Sequence, residues 1–269
     1  MLKRNHIIRN GFRFLLIGLT PFITLLVQAE ELPLNQPAIS IIIDDMGYRL
    51  HSGNRAVKLP GALTYSFLPH TPHVMSLSQL AHDHNKEVML HLPMEAESGK
   101  KLGPGGLTES MTEQNFSYVL EESIQSIPYV SGFNNHMGSL LTKNQHWMKR
   151  LMHDVAAKNN LFFVDSKTTS ESIALEVAQA AGLKSIQRDI FLDHEESEIF
   201  IKKQLKKLIQ RARQKGTALA IAHPKKITLS ILEKWLPQLE ANGIRLVPVS
   251  ELITLQQQRR LALWKNQKN

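Results

Sequence analysis

The stretch AISIIIDDMGYRL, residues 38–50, joins a buried strand to a pair of charges. Five of the six residues from Ala38 to Ile43 are apolar, and Asp44 and Asp45 follow directly. Short, continuously apolar runs are typical of strands in parallel sheets that are covered on both faces. The carboxyl ends of such strands share one face of the fold, and active sites are built there. We therefore expect both carboxylates to lie at a functional rim.

Apolar runs of the same kind alternate with segments of helical spacing along the rest of the chain. Strands are predicted at 38–43, 62–68, 87–92, 128–133, 161–165, 186–192, 217–222 and 244–249. Helices are predicted between most of them, with Thr112 as an N-cap and glycines at 182, 216 and 243 as helix ends. Repeated strand–helix–strand units indicate parallel strands with helices outside. An open doubly wound sheet and a barrel both fit, but no glycine-rich phosphate loop follows the first strand, so a barrel or distorted barrel is favoured.

Residues 1–29 carry the features of a secretory signal peptide. Four basic residues and no acidic one accompany the uncharged run FLLIGLTPFITLLVQA, which ends at Ala29. We predict cleavage after Ala29, a periplasmic location, a linker at 30–37, a main domain at 38–253 and a basic C-terminal tail at 254–269. The run is shorter than the ~20 apolar residues of a spanning helix. A membrane is therefore expected as a partner only if the signal stays uncleaved as an anchor.

Charge and cysteine content restrict the classes of partner and of site. The formal net charge of +8 includes the four basic residues of the predicted signal, so the rest of the chain carries +4. A mildly basic chain of this size needs no anionic polymer to explain its charge, and no nucleic-acid partner is predicted. Cysteine is absent from the sequence. Thiolate metal sites and cysteine nucleophiles are thereby excluded, and any metal must be held by histidine, aspartate or glutamate.

Six of the predicted strands end in histidine, aspartate or asparagine. These endings are Asp44–Asp45, His91, Asn134–His136, Asp165, Asp193–His194 and His223. Each alone has an ordinary structural explanation, such as a helix cap or a hydrogen-bonded histidine. Brought together at one rim, carboxylates and imidazoles suit a divalent ion such as Zn²⁺, which takes three protein ligands and a water in catalytic sites. The ion would lower the pKa of that water, a carboxylate would take its proton, and a histidine would protonate a leaving amine.

The segments IIIDDMGY, HLPME, GFNNHMGS, FFVDSKT and AIAHP, in this order, resemble the polysaccharide deacetylase (NodB-like) superfamily. The resemblance is closer to its divergent branch in bacterial envelopes and spans about residues 37–250. It implies a distorted, incomplete (β/α) barrel of about seven parallel strands and an envelope polysaccharide as substrate. It further implies that Asp44 is the general base, Asp45 and His91 are metal ligands, and His223 is the general acid. Zn²⁺ is the expected ion, although the donor set also accepts Co²⁺, Ni²⁺ or Mn²⁺.

The third metal ligand departs from the pattern of the family that the chain resembles. Ordinary members carry two metal histidines in one His-Ser/Thr-x-x-His turn, whereas Glu95 stands four residues after His91. Glu95 and His136 are therefore alternatives, and His136 is preferred because it follows the adjacent strand. Further candidate site residues are Asn135, Asp165 and Asp193. The Arg-x-Pro motif of the family is not evident, and DSKTT occupies that region.

These departures leave two hypotheses of function. The first is an exported, metal-dependent carbohydrate deacetylase-like hydrolase that acts on an envelope polysaccharide. The second is a catalytically inactive barrel that binds glycan or an envelope protein. The Asp44–Asp45 pair and His223 favour the enzyme, because clustered charges repel one another in a binding protein that holds no metal. A sugar-phosphate barrel enzyme is a distant third hypothesis, since no phosphate-binding loop is recognisable.

Overall fold

The computed structural model describes residues 36–158 and 160–266 of the 269-residue chain. The predicted signal peptide and most of the predicted linker lie outside these residues. Within the described ranges, no helix combines the length and the apolar character that a membrane crossing requires. The strands are β1 (Ala38–Met46), β2 (Thr64–Phe67), β3 (Glu87–Met94), β4 (Val130–Met137), β5 (Phe162–Asp165), β6 (Ser185–Gln187), β7 (Ile190–Phe191), β8 (Thr217–Ala222) and β9 (Arg245–Leu246). The α-helices are α1 (Leu50–Val57), α2 (Val74–Asp83), α3 (Glu113–Gln125), α4 (Gln145–Lys158), α5 (Ala174–Ala180), α6 (Glu198–Lys215), α7 (Lys226–Trp235) and α8 (Val249–Asn266).

All of these strands belong to one parallel sheet. The strand order is β6-β5-β4-β3-β2-β1-β8-β7, and β9 pairs with β1 beside this path. The sheet curls into a barrel that stays open, because β6 and β7 form its two edges. This architecture confirms the predicted distorted, incomplete (β/α) barrel, with eight strands along the path of the sheet.

The chain crosses from one edge of the open barrel to the other within residues 185–191, which we call the seam. At one side of the seam, the Arg188 N–H donates to the carbonyl oxygen of Asp165 over 3.0 Å. At the other side, the Asp189 N–H donates to the carbonyl oxygen of Leu219 over 2.9 Å. The single strand predicted at 186–192 is therefore wrong in this detail. It is two short strands, because each half of the segment pairs with a different edge.

The sheet separates two buried apolar layers. Because successive strand side chains point to opposite faces, Ile39, Ile41 and Ile43 pack in the outer layer against the helices, whereas Ala38 and Ile42 lie in the inner layer. The inner layer also contains Met89, Phe162, Val164, Leu219 and Ile221, together with Val249, Leu252, Ile253 and Leu255 from α8. The interior of the barrel is thus packed with side chains, and a functional site can occupy only its rim. The predicted domain boundary at 253 falls inside α8.

Helix ends follow the predicted local signals, but one helix was not predicted. Thr112 caps α3 by accepting a hydrogen bond from the Asn115 N–H at 3.2 Å. Gly216 ends α6 with a φ of 83°, a conformation that glycine adopts without strain. Helix α1 has the sequence LHSGNRAV, which is poor in helix formers. Its Gly53 packs so closely on α2 that a Cβ atom there would lie 2.5 Å from Leu77 Cδ1, so tertiary packing stabilises this helix.

Candidate metal centre and active site

Strand β1 ends in a bulge that turns two adjacent carboxylates to the same side. Its register with β2 shifts between Ile43 and Met46, and Asp45 has a φ of 56°. In a regular strand, neighbouring side chains point to opposite faces, and a bulge changes the direction of one of them. Asp44 is buried and Asp45 is half-buried, and both face the rim of the barrel. The two charges after the apolar run are therefore placed at the rim together.

Three ligand atoms from three strands meet beside this bulge. His91 Nε2 lies 3.3 Å from Asp45 Oδ1, and His136 Nδ1 lies 3.1 Å from the same oxygen. The two imidazole nitrogens are 3.1 Å apart. Among the described residues, Asp45, His91 and His136 form a group with the donor types and spacing that could hold a metal ion.

The spacing of these three atoms fits a tetrahedral ion. Ligand atoms bound at 2.0–2.1 Å in a tetrahedron lie about 3.3 Å from one another, close to the distances observed here. Asp45 Oδ1 is buried and receives no hydrogen bond of good geometry, although two imidazole nitrogens face it. Burial raises the pKa of Asp45, but His136 and His91 outweigh burial and hold the pKa well below its usual range. A carboxylate that stays charged, with an oxygen that lacks a donor, is suited to bind a cation.

Asn134 links His91 to the buried carboxylate of Asp44. Its Nδ2 donates to both carboxylate oxygens of Asp44, at 3.0 and 3.1 Å, and to Ser166 Oγ at 3.1 Å. Its Oδ1 accepts from Ser66 Oγ at 2.6 Å and lies 2.8 Å from His91 Nδ1. Because a carboxylate accepts only, the orientation of the amide is fixed, and His91 Nδ1 must be the donor. The lone pair of neutral His91 is thereby placed on Nε2, which faces the other two ligand atoms.

Burial and charge set the proton affinities of Asp44 and His91. Burial raises the pKa of Asp44, and the charges of His91 and His223 oppose this rise without cancelling it. Burial lowers the pKa of His91, but Asp44 and Asp45 outweigh burial and raise that pKa to about 9. A carboxylate with a raised pKa can take up a proton nearer neutral pH than an exposed one, as a general base requires.

His223 directly follows β8 and lies beside Asp45 of the candidate metal group. Its Nδ1 is 2.9 Å from Asp193 Oδ1, and its Nε2 is 3.7 Å from Asp45 Oδ2. Asp193 is fully buried and also accepts from the His223 N–H at 2.9 Å and from Thr228 Oγ1 at 2.8 Å. Burial lowers the pKa of His223, whereas Asp193 raises it, and the net pKa is raised. This pair holds an imidazole that can carry a proton with Nε2 directed at the site.

Glu95, the alternative third ligand, is directed away from the candidate metal group. One of its carboxylate oxygens accepts from the Glu109 N–H at 2.7 Å. Its carbonyl oxygen accepts from the N–H groups of Leu140 and Leu141. Glu95 therefore organises the chain beyond β3, and the structure brings His136 beside His91 instead.

Two further candidates, Asn135 and Asp165, lie at the rim but support its loops. Asn135 Oδ1 accepts from the Ser166 N–H at 2.9 Å, which ties the end of β4 to the segment after β5. Asp165 accepts from the Lys167 N–H at 2.7 Å and from Ser172 Oγ at 2.8 Å. Neither residue contributes to the group of three ligand atoms. Their hydrogen bonds fix the backbone around Asn134 and Ser166.

Arg188, at the seam, is a charged rim residue that sequence reasoning missed. Its Nε donates to the Ser166 carbonyl at 2.7 Å, and its guanidinium carbon lies 5.0 Å from the centre of the Phe191 ring. Burial lowers the pKa of Arg188, while the negative charges of Asp44 and Asp165 oppose this effect. In the sequence, Arg188 is a basic residue in the middle of the predicted strand IQRDIFL. Its position near Asp44 follows only from the seam.

A cleft of about 1200 Å³ opens outward from the candidate metal group, and we call it the rim cleft. Asp45, His136 and His223 form its inner end. Its remaining walls come from the segment after β1 with α1, the loop around Lys101, and the start of α7. The cleft exceeds the ~300–1,000 Å³ of typical small-molecule sites, so it has room for several sugar units.

Comparison with known proteins gives one family match, two uncharacterized sequence relatives and a solved structure of the same fold. The sequence pattern of the family described as "Divergent polysaccharide deacetylase" matches residues 41–253. "Uncharacterized protein YibQ" of Escherichia coli (strain K12) is 34% identical over 229 residues, which cover 84% of this chain and 71% of that protein. An uncharacterized protein of Haemophilus influenzae is 31% identical over 233 residues, which cover 87% and 79%. The crystal structure of uncharacterized protein ATU2773 from Agrobacterium tumefaciens C58 has the same fold, with a TM-score of 0.78 and 24% identity over 81% of this chain and 89% of that one.

Proposed function

The chain belongs to the divergent polysaccharide deacetylase family, and from this premise we propose that it is an exported, metal-dependent hydrolase that removes acetyl or similar acyl groups from an envelope polysaccharide. The observation that carries the proposal is the convergence of Asp45, His91 and His136 into one set of ligand atoms. Asp44 Oδ2 lies 3.6 Å from His91 Nε2, and His223, which pairs with Asp193, lies 3.7 Å from Asp45 Oδ2. The rim cleft leads to it from the surface.

The residues around the ligand set can perform the two proton transfers that acyl hydrolysis needs. Asp45, His91 and His136 would hold a divalent ion, which would lower the pKa of a water molecule and polarise the acyl carbonyl. Asp44, whose pKa is raised by burial, accepts the proton of the attacking water. His223 donates its Nε2 proton to the leaving amine or alcohol as the bond to the acyl carbon breaks. Asp193 fixes the tautomer of His223 and stabilises its charged form.

Elemental analysis of the purified full chain tests the metal part of the proposal. We expect one equivalent of a divalent ion, with Zn²⁺ as the expected element, and loss of that ion in each of Asp45→Ala, His91→Ala and His136→Ala. His153→Ala is a matched control, because this histidine is 78% exposed on α4, away from the rim. If all three ligand variants retain the metal content of the parent, this rim is not a metal site.

Acetate release from a panel of acetylated glycans tests the hydrolytic part. We expect release by the parent that depends on the bound ion and is lost on chelation. Metal binding without release from any acetylated glycan would support the second hypothesis, an inactive barrel that binds glycan or an envelope protein.

Intact-mass analysis of exported protein tests the location. We propose that the mature chain begins at Glu30 and is found in the periplasm, as the leader pattern predicts. A mass that still includes residues 1–29 would instead indicate a membrane anchor.

A further inference from the structure

The rim cleft is lined by cations that no acidic side chain neutralises. Arg49, Lys101 and Lys226 come from three different segments of the wall, and all three are exposed. Within the part of the chain that the structure describes, none of the three side chains has a hydrogen-bond or ion-pair partner. Two other basic residues of the cleft differ, because Arg55 pairs with Glu233 at 2.8 Å and Lys225 pairs with Glu196 at 3.0 Å.

Folding alone does not account for this arrangement. Like charges that face one cleft repel one another, and a wall built for stability would pair them as Arg55 and Lys225 are paired. Asp45 and Glu196 also line the cleft, but Asp45 faces His91 and His136, and Glu196 pairs with Lys225. The unpaired charges of the wall are therefore positive, and they attract ligands of the opposite sign. Lysine and arginine bind carboxylate and phosphate groups through charge-assisted hydrogen bonds. The modest net charge did not require an anionic partner, but the position of these three cations does favour one.

The other walls of the cleft suit a sugar chain. Tyr48 lines the cleft with 49% of its surface exposed, and the buried side chains of Met46, Leu68 and Leu229 lie beneath the wall. Apolar and aromatic surfaces with a few polar groups between them are typical of ligand sites. Gly47, with a φ of 114°, turns the chain directly after the metal group and so places Tyr48 and Arg49 in this wall. A Cβ atom at Gly47 would lie 2.0 Å from Thr71 Oγ1, so the turn requires glycine.

We propose that the rim cleft binds an acidic glycan, whose sugar units next to the acylated one carry carboxylate or phosphate groups. This inference rests on the proposed function, since it names the substrate class of the same site. Arg49, Lys101 and Lys226 contact the anionic groups, while the exposed ring of Tyr48 contacts a sugar ring. The acyl group then lies at the inner end of the cleft, beside Asp45 and His223.

Binding of matched tetrasaccharides to the full chain tests the inference. The neutral probe is a tetramer of N-acetylglucosamine, and the carboxylate probe is a tetramer that alternates N-acetylglucosamine with glucuronate. The phosphate probe is the neutral tetramer carrying 6-phosphate groups. Affinities are measured by calorimetry in an Asp44→Asn background, so that no probe is consumed. We expect at least one acidic probe to bind about 10-fold or more tightly than the neutral one, and this preference to shrink at high salt.

Two triple variants with the same change in net charge distinguish the effect of the cleft residues on binding from the effect of the overall charge of the protein. Arg49→Gln, Lys101→Gln and Lys226→Gln together should abolish the preference for the acidic probes. Lys149→Gln, Lys203→Gln and Lys207→Gln, at exposed positions on α4 and α6, should keep the preference. Equal binding of all three probes to the parent, or a preference that survives in the cleft variant, would overturn the inference.

Acetate release from the same probes by the parent tests the hydrolase proposal independently of the binding preference. If an acidic probe is preferred but none of the probes releases acetate, the acidic-glycan inference stands and the hydrolase proposal fails. If the neutral tetramer is hydrolysed and bound as tightly as the acidic ones, the hydrolase proposal stands and the inference fails.

Discussion

Asp44 and Asp45 are adjacent in sequence, yet their surroundings give them opposite proton affinities. The pKa of buried Asp44 is raised, chiefly by burial, whereas the imidazoles around Asp45 lower its pKa despite burial. Two carboxylates whose pKa values are pushed apart are a common basis for a division of labour in active sites. Here the division assigns proton uptake to Asp44 and cation binding to Asp45.

Asparagine substitutions of these two residues should have different effects. Asp44→Asn removes the proposed base and leaves the ligand set intact, so metal content should stay at the parent level while kcat falls by about 10²–10⁴-fold. Asp45→Asn removes a charged ligand, so metal content itself should fall. Metal analysis and acetate release on the same preparations measure both quantities. Equal metal loss in the two variants would contradict the division of labour.

Asn134 should tune the affinity for metal through His91, although it is not a ligand. Asn134→Ala removes the acceptor of the His91 Nδ1–H and the donor to Asp44, so we expect metal affinity to fall by about 10–100-fold. Chelator competition measures this affinity. Asn135→Ala is the matched control, because its side chain bonds only to backbone groups of Met137 and Ser166. Similar losses of affinity in both variants would mean that the effect comes from general damage to the rim.

Metal affinity should depend on pH in a defined direction. A histidine must be neutral to bind a metal, and the pKa of His91 is raised to about 9 by the two carboxylates. Between pH 6 and pH 8 binding must therefore displace a proton, and affinity should rise by about tenfold per pH unit for each proton displaced. Calorimetry in buffers with different ionisation enthalpies counts these protons. An affinity that is constant across this range would show that His91 is already neutral there.

For single residues, the sequence was sufficient to identify the residue types at the strand ends but not the hydrogen bonds between them. The structure groups Asp44, Asp45, His91 and His223 at one rim, as the strand endings indicated. The role of Asn134 was missed because it depends on the register that sets His91 opposite Asn134 across β3 and β4. A one-residue slip of that register would turn the asparagine to the other face.

At the scale of elements, α8 contributes part of the packed interior of the barrel. Four of its residues, Val249, Leu252, Ile253 and Leu255, belong to the inner buried layer. The sequence analysis ended the main domain at 253 and assigned residues 254–269 to a basic tail, whereas α8 runs continuously from Val249 to Asn266. The apolar face of this helix is short, so its periodicity is weak in the sequence even though its packing is complete.

Truncation of a buried side chain in α8 should destabilise the whole domain. Leu252→Ala leaves a cavity in the inner layer, and we expect a loss of about 2–5 kcal/mol in the free energy of unfolding. Leu263→Ala, on the same helix but 63% exposed, should change that free energy by less than about 0.5 kcal/mol. Chemical denaturation measures both. A small effect of Leu252→Ala would mean that α8 unfolds separately from the barrel.

For the whole molecule, alternation of strand and helix patterns was sufficient to predict parallel strands with outer helices, but not the seam between the two edges of the open barrel. Parallel strands and outer helices follow from local periodicity and from the preference for buried parallel sheets. The seam does not, because both halves of residues 185–191 look alike in sequence and differ only in the edge that each one meets. The edge that each half pairs with depends on the complete sheet and not on local sequence.

Metal binding should stabilise the whole domain, since the proposed ligands come from β1, β3 and β4. An ion that binds only the folded state adds about 2.7 kcal/mol at a free concentration 100 times its Kd. For a domain of this size that gain corresponds to a rise in Tm on the order of 5–10 °C. Calorimetry with and without Zn²⁺ measures the shift, and His91→Ala should abolish it. An equal shift in His91→Ala would place the stabilising ion elsewhere.

The ligand set of the rim contains only carboxylate and imidazole groups, in a chain without cysteine. Neither group changes its oxidation state under the conditions that convert thiolates to disulfides or sulfenic acids. A site built in this way keeps the same donors in an oxidising compartment as in a reducing one. Peroxide and thiol reductants should therefore leave its metal affinity unchanged.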